Sequence, residues 1–153
     1  MFKLGLKVPP VAQGIIALIL IWLLSRYWPV YRMNTIFQGA VALSIISIGL
    51  CVGALAVGVF LKLRTTVDPR YPNKTIRLVT TGIYKYSRNP MYLAILMVLI
   101  GVSVYLGALS SILILLIFVI YINQFQIVPE ERSLEQKFGD SYRQYAKGVR
   151  RWV

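Results

Sequence analysis

The chain has 153 residues, 58% of them hydrophobic, with a formal net charge of +12 and a mean hydropathy of +0.68. That apolar share exceeds the share in an ordinary water-soluble domain, and the length suits a single domain. The only cysteine, Cys51, excludes an internal disulfide; with no histidine, the usual ligand sets for zinc or haem are missing and no metal site is expected.

The first apolar run follows Lys3 and Lys7 in the manner of a secretory signal. Ser25-Arg26-Tyr27-Trp28 stands where a small-residue cleavage site would be needed, so the run is read as a retained span near 11–28 with interfacial aromatics. The second span, near 36–61, carries Gly49 and Gly53 in a G-x-x-x-G spacing, then Ala54 and Gly58. Close packing inside the bundle is expected there over a dimer face, because other spans are at hand to fill the groove. A long loop, 62–89, follows, with turn signals at Asp68-Pro69 and Tyr71-Pro72-Asn73. Within it "TIRLVTTGIY" reads as an extended segment with a turn at Thr81-Gly82. Asn89 before Pro90 suits a helix N-cap and first helical position.

From Asn89 to Pro129 no side chain is charged. About 40 residues at 1.5 Å each would make a helix of about 60 Å, twice the hydrocarbon thickness, so the run is read as two spans. The break is expected at Leu106-Gly107-Ala108, giving spans near 90–106 and 108–128. Beyond Pro129, Leu134 and Phe138 form an apolar stripe, Gly139 ends that turn of helix, and a second short helix bears Tyr142 and Tyr145. The segment 129–153 is expected to lie along the cytoplasmic interface.

The cations cluster in the 62–89 loop and after the last span, whereas the first connection holds only Arg26 and Arg32 and the hairpin turn none. The positive-inside rule then places both termini and the loop in the cytoplasm, against anionic lipid headgroups. No nucleic-acid recognition fold accompanies the charge, so no nucleic-acid partner is expected. The fold expected is an all-α integral membrane protein, in a bacterial or archaeal inner membrane. It has four transmembrane helices, the last two a tight hairpin, plus cytoplasmic interfacial C-terminal helices.

Two polar clusters stand out. Tyr84, Tyr86, Asn89 and Tyr92 gather where the loop enters the third span. Asn123, Gln126 and Glu130 share one face if the fourth span runs helically through Pro129. A polar stripe in a membrane helix is expensive without partners or a cavity, and the topology brings both clusters to the same side. Aromatic faces attract a cation, a carboxylate accepts hydroxyl hydrogen bonds, and arginine holds a carboxylate or phosphate. Belt aromatics and helix-dipole partners would account equally for the same residues.

"LVTTGIYKYSRNPMYLA" and "PEERSLEQKFGDSYRQYAKGVRRWV" together resemble the isoprenylcysteine carboxyl methyltransferases and the related membrane phospholipid methyltransferases. The resembling pattern runs G-x-Y, R-N-P-x-Y, E-E, F-G-x-x-Y and V-x-R-W in order, over nearly all of residues 76–153. It implies S-adenosyl-L-methionine as methyl donor, held by Ile76, Arg77, Leu78, Val79, Tyr84, Asn89, Pro90, Met91, Tyr92 and Glu130, with S-adenosyl-L-homocysteine as product. Glu130 would take the ribose hydroxyls. Asn89 stands where many relatives have histidine, and Gln126 where the prenylcysteine enzymes have the arginine that holds the substrate carboxylate. Arg88 or Arg132 would then supply that cation, and Glu131 would accept the proton of an amine nucleophile. The activity implied is methyl transfer to a lipidic or prenylated acceptor at the cytoplasmic face, most like protein-S-isoprenylcysteine O-methylation. Phospholipid N-methylation and small-thiol methylation are the alternatives within that class, and a non-catalytic membrane scaffold is the alternative outside it.

Overall fold

The computed structural model describes residues 8–63 and 78–153, all helix, turn and irregular connection apart from one isolated bridge between Arg32 and Ala108. Six α-helices follow in order: α1 (Pro10–Tyr27), α2 (Gln38–Lys62), α3 (Pro90–Leu106), α4 (Ser111–Ile122), α5 (Val128–Phe138) and α6 (Asp140–Gly148). A 3₁₀ turn, Gly82–Lys85, precedes α3, and a π turn, Asn123–Ile127, joins α4 to α5. Three helical stretches are long and apolar enough to cross a membrane: Pro10–Tyr27, Gln38–Lys62 and Ser111–Phe138. α3, apolar along its 17 residues, is shorter.

α3 is the hub, packing against α1, α2 and α4. Lipid is as apolar as a leucine, so membrane helices associate through close approach rather than by expelling water. Here glycine supplies that approach. A Cβ on Gly49 would stand 2.9 Å from Met97 Cβ and 3.1 Å from the Ala94 carbonyl; one on Gly101 would stand 2.5 Å from Ile46 Cγ1 and 3.0 Å from the Ala42 carbonyl. The G-x-x-x-G face of α2 is thus spent on α3. Ala17, Ile21, Tyr92, Leu99, Phe118, Ile122 and Ile127 form the core between α1, α3 and the α4 stretch.

α3 ends because Gly107 adopts a left-handed conformation (φ 66°), and a Cβ there would collide with the Met33 carbonyl. The Met33 N–H donates to the Gly107 carbonyl (2.8 Å), so the α1–α2 connection and the α3–α4 turn brace one another.

In the described part of "TIRLVTTGIY", residues 78–80 carry no helix or strand, Thr81 is extended (φ -107°, ψ 168°), and Gly82 (φ 62°) turns the chain into the 3₁₀ turn, at the expected turn position. One local expectation changes: a single α-helical phase does not carry through Pro129. Proline offers no N–H to the preceding turn, and the Val128 N–H bonds the Asn123 carbonyl five residues back. Asn123, Gln126 and Glu130 therefore take three separate partners: the Trp152 indole (3.2 Å), the Val8 carbonyl (3.2 Å) and the Tyr92 hydroxyl (3.0 Å).

Overpacking at a helix crossing costs about 1–3 kcal/mol. Gly101→Val should lower the thermal midpoint of the purified protein accordingly. Gly58→Ala, whose Cβ would meet nothing within 4 Å, should leave the midpoint unchanged or slightly raised in the same circular-dichroism melt.

Candidate functional site

One wall of the site is the segment 78–92. Val79 is buried against Ala56 of α2 and against Tyr84. The Tyr84 ring meets Phe60 edge-on, with centroids 5.4 Å apart, and its carbonyl accepts the Tyr145 hydroxyl (2.7 Å). The Ser87 hydroxyl takes the Asn89 N–H (3.1 Å) and tightens the turn into α3. Asn89 occupies the N-cap position, with Pro90 at the first turn, but its side chain makes no capping bond. Its amide nitrogen donates instead to the Arg151 carbonyl (2.9 Å). Proline at N1 already removes one orphan N–H, which frees the asparagine side chain for that longer-range bond.

The other wall is the start of α5. Glu130 and Glu131 are adjacent, so on a helix they project about 100° apart and meet different surroundings. Glu130 accepts the hydroxyl of buried Tyr92 (3.0 Å). Glu131 sits between two guanidiniums: Arg88 at 3.1 Å, and Arg151 at 3.2 Å through Nε and 2.7 Å through Nη2.

Between the walls and running up the bundle lies a cavity of about 560 Å³. Its polar end is formed by Tyr84, Arg88, Asn89, Tyr92 and Glu130. The rest is apolar, with Ile15 and Leu18 from α1, Leu50 and Val57 from α2, and Val98 and Leu99 from α3 among its lining. Glycines 14, 49 and 53 are also among its lining. Small-molecule sites run to about 300–1,000 Å³, mostly apolar with a few convergent polar groups. Glu130 is the single carboxylate among the described lining residues and Arg88 the single cation.

Of the residues singled out in the sequence, Tyr84, Arg88, Asn89, Met91, Tyr92 and Glu130 line this cavity together. Pro90 is fully buried, Val79 supports Tyr84 from beneath, and Leu78 is half-buried outside the lining. Ile76 and Arg77 lie outside the described residues. Two others lie outside its lining. The π turn buries Gln126 (1% exposed), whose amide donates to the Val8 carbonyl. The Glu131 carboxylate is paired with Arg88 and Arg151. Sequence reasoning missed Phe60, Val57 and the α1 residues, whose apolar side chains look like any lipid-facing residue. The glycines of α2 were the available signal. Sequence reasoning saw the tail, Arg150–Trp152, only as the closing V-x-R-W motif and not as a segment that binds both walls.

Burial pushes the hydroxyls of Tyr84 and Tyr142 well above the usual tyrosine range, with nearby carboxylates adding to the effect. Burial likewise pushes Tyr145 up to about 12, with Arg88 partly opposing it.

A family model described as phospholipid methyltransferase matches residues 35–141. An uncharacterized protein of Haemophilus influenzae is 49% identical over 63 residues, which is 41% of this chain and the whole of that one. The protein-S-isoprenylcysteine O-methyltransferase of Schizosaccharomyces pombe is 41% identical over 78 residues, half of this chain and 33% of the yeast protein's length. No solved structure matches.

The Tyr145 hydroxyl donates to the Tyr84 carbonyl only while protonated. Its folded pKa lies above the usual value of 10.0, so its stabilisation is fully present below pH 10 and is lost as pH rises through about 12. In denaturant titrations, Tyr145→Phe should be less stable than the parent by a constant margin of about 1 kcal/mol up to pH 10. That margin should close between pH 10 and about 12.

Proposed function

Because the chain belongs to the phospholipid methyltransferase family, we propose that it transfers a methyl group from S-adenosyl-L-methionine to a lipidic acceptor at the cytoplasmic face of the membrane. The observation that carries this reading is the placement of one carboxylate, Glu130, with two tyrosines at the polar end of an otherwise apolar cavity.

The donor set fits the cofactor. Glu130 offers the acceptor oxygens that ribose hydroxyls need, and the Tyr84 and Tyr92 rings offer faces for a sulfonium. When bound there, S-adenosyl-L-methionine supplies an electrophilic methyl group. The chain's own contribution is positioning and exclusion of water. Tyr92 holds Glu130 through its hydroxyl and fixes which oxygen faces the cavity. The Tyr84 ring is fixed by Phe60 and its backbone by Tyr145, so the aromatic wall is pre-formed. Reactants oriented in a dry site gain several kcal/mol over the same groups in water.

The acceptor's chain would lie in the apolar part of the cavity, between α1 and α2, which both pack on α3. With α3 the bundle is read as four spans, so an acceptor dissolved in the bilayer reaches the polar end without leaving the membrane. Arg88, the lining cation, is already paired with Glu131. A carboxylate acceptor would compete with that pair. A phospholipid amine would have to lose its ammonium proton to water before attack, so the family match and not Arg88 puts the phospholipid first. Prenylcysteine remains the second reading, since the yeast protein-S-isoprenylcysteine O-methyltransferase is 41% identical over half of this chain.

Calorimetry with S-adenosyl-L-homocysteine tests the donor. Wild-type protein in nanodiscs should bind it, and Glu130→Ala should weaken binding by about tenfold or more, the equivalent of about 1.4 kcal/mol. A folded wild type that takes up none would sink the reading. Labelled-methyl transfer to phosphatidylethanolamine against farnesylcysteine then separates the acceptors. Val57→Trp, which fills the apolar part, should raise the acceptor KM several-fold while leaving affinity for S-adenosyl-L-homocysteine unchanged.

A further inference from the structure

We propose that the C-terminal segment Arg150–Trp152 is a strap that ties the two walls of the site together, with Arg151 and Glu131 as positioning residues. The inference rests on the cofactor reading above for its functional consequence and on the hydrogen-bond pattern for its geometry.

After α6 the chain turns extended at Val149 and runs back across the outside of the polar end. It bonds the first wall through its backbone: the Arg88 N–H donates to the Arg150 carbonyl (3.0 Å) and the Asn89 amide to the Arg151 carbonyl (2.9 Å). It bonds the second wall through its side chains. Arg151 engages Glu131 through two nitrogens, and the Trp152 indole donates to Asn123 within the π turn (3.2 Å). The Trp152 ring also packs against the core cluster that includes Tyr92. Two arginines on one carboxylate close the loop: Arg88 belongs to the first wall, Glu131 to the second and Arg151 to the strap.

No residue of 149–153 lines the cavity, so the strap acts only through the groups it holds. Those groups are neighbours of Arg88, Asn89 and Glu130, which do line it. The Arg88 and Glu131 side chains are 15% and 17% exposed, so their pairing is shielded from solvent far more than the surface pair of Arg143 (59% exposed) with Glu135. The Arg88 pair is shielded, and the Arg151 pair, with its arginine 37% exposed, is two-pronged; each holds geometry better than an exposed single contact. Arg151 therefore fixes Glu131, Glu131 fixes the Arg88 guanidinium, and the 84–89 turn is held against the start of α5.

The test uses full-length protein in nanodiscs and two readouts. Amide hydrogen exchange, without any ligand, reports the wall itself; titration with S-adenosyl-L-homocysteine reports its use. In Arg151→Ala, exchange across residues 84–89 should speed up several-fold and affinity should fall about tenfold, with the melting midpoint close to wild type. Arg151→Lys should recover part of both, because an ammonium keeps the charge but not the two-pronged contact. Arg143→Ala, which removes only surface ion pairs, should change neither. Should Arg151→Ala fail to fold, Trp152→Phe carries the same test, keeping the ring in the core and deleting the bond to Asn123. Wild-type exchange and wild-type affinity in a folded strap variant would overturn the proposal. Faster exchange at 84–89, alongside a wild type that binds no S-adenosyl-L-homocysteine, would support the strap and sink the cofactor reading.

Discussion

A carboxylate at the end of a membrane helix must find partners, because burying it alone costs several kcal/mol. This chain carries two in succession at the start of α5 and resolves them differently. Glu130 turns inward, accepts one hydroxyl and keeps acceptor capacity facing a cavity. Glu131 turns outward and is neutralised by two arginines. The rest of the polar end follows from that division. One carboxylate lines the cavity, and the other becomes the knot joining the loop, the helix and the tail.

Helix packing supplies the space. α2 and α3 approach closely because Gly49 and Gly101 have no side chain to separate them. α1 meets α3 farther round, with Ile95 against Gly14. Two neighbours gathered on one hub leave a cleft between themselves, and its lining is apolar because the same residues would otherwise face lipid. The cavity is therefore a consequence of using α3 as the common partner. Its polar mouth is a consequence of where the loop 78–89 and the start of α5 meet.

Much of this was legible residue by residue. The turn at Gly107, the apolar helices and the gathering of Tyr84, Arg88, Tyr92 and Glu130 follow from spacing, charge and topology. The partners of Gln126 and Glu131 did not. Gln126 was read on the assumption of an unbroken α-helical phase, and the π turn before Pro129 changes which side the residue faces. Glu131 looked available because its partners lie 43 and 20 positions away, at Arg88 and Arg151, distances over which no periodicity speaks. The capping reading of Asn89 was right in position and wrong in side-chain use, for the same reason: its partner is the tail.

The sequence by itself determined that apolar helices form, where glycine and proline interrupt them, and that polar residues cluster at one end. Those are consequences of local sterics, hydropathy and charge, each confined to a few neighbouring positions. Tertiary structure alone decided which carboxylate faces the cavity and which is tied off, that α1 and α2 line one cleft, and that Arg150–Trp152 returns to bind both walls. These depend on contacts between segments far apart in the chain, where a side chain's chemistry says what it can bond but not what it will meet.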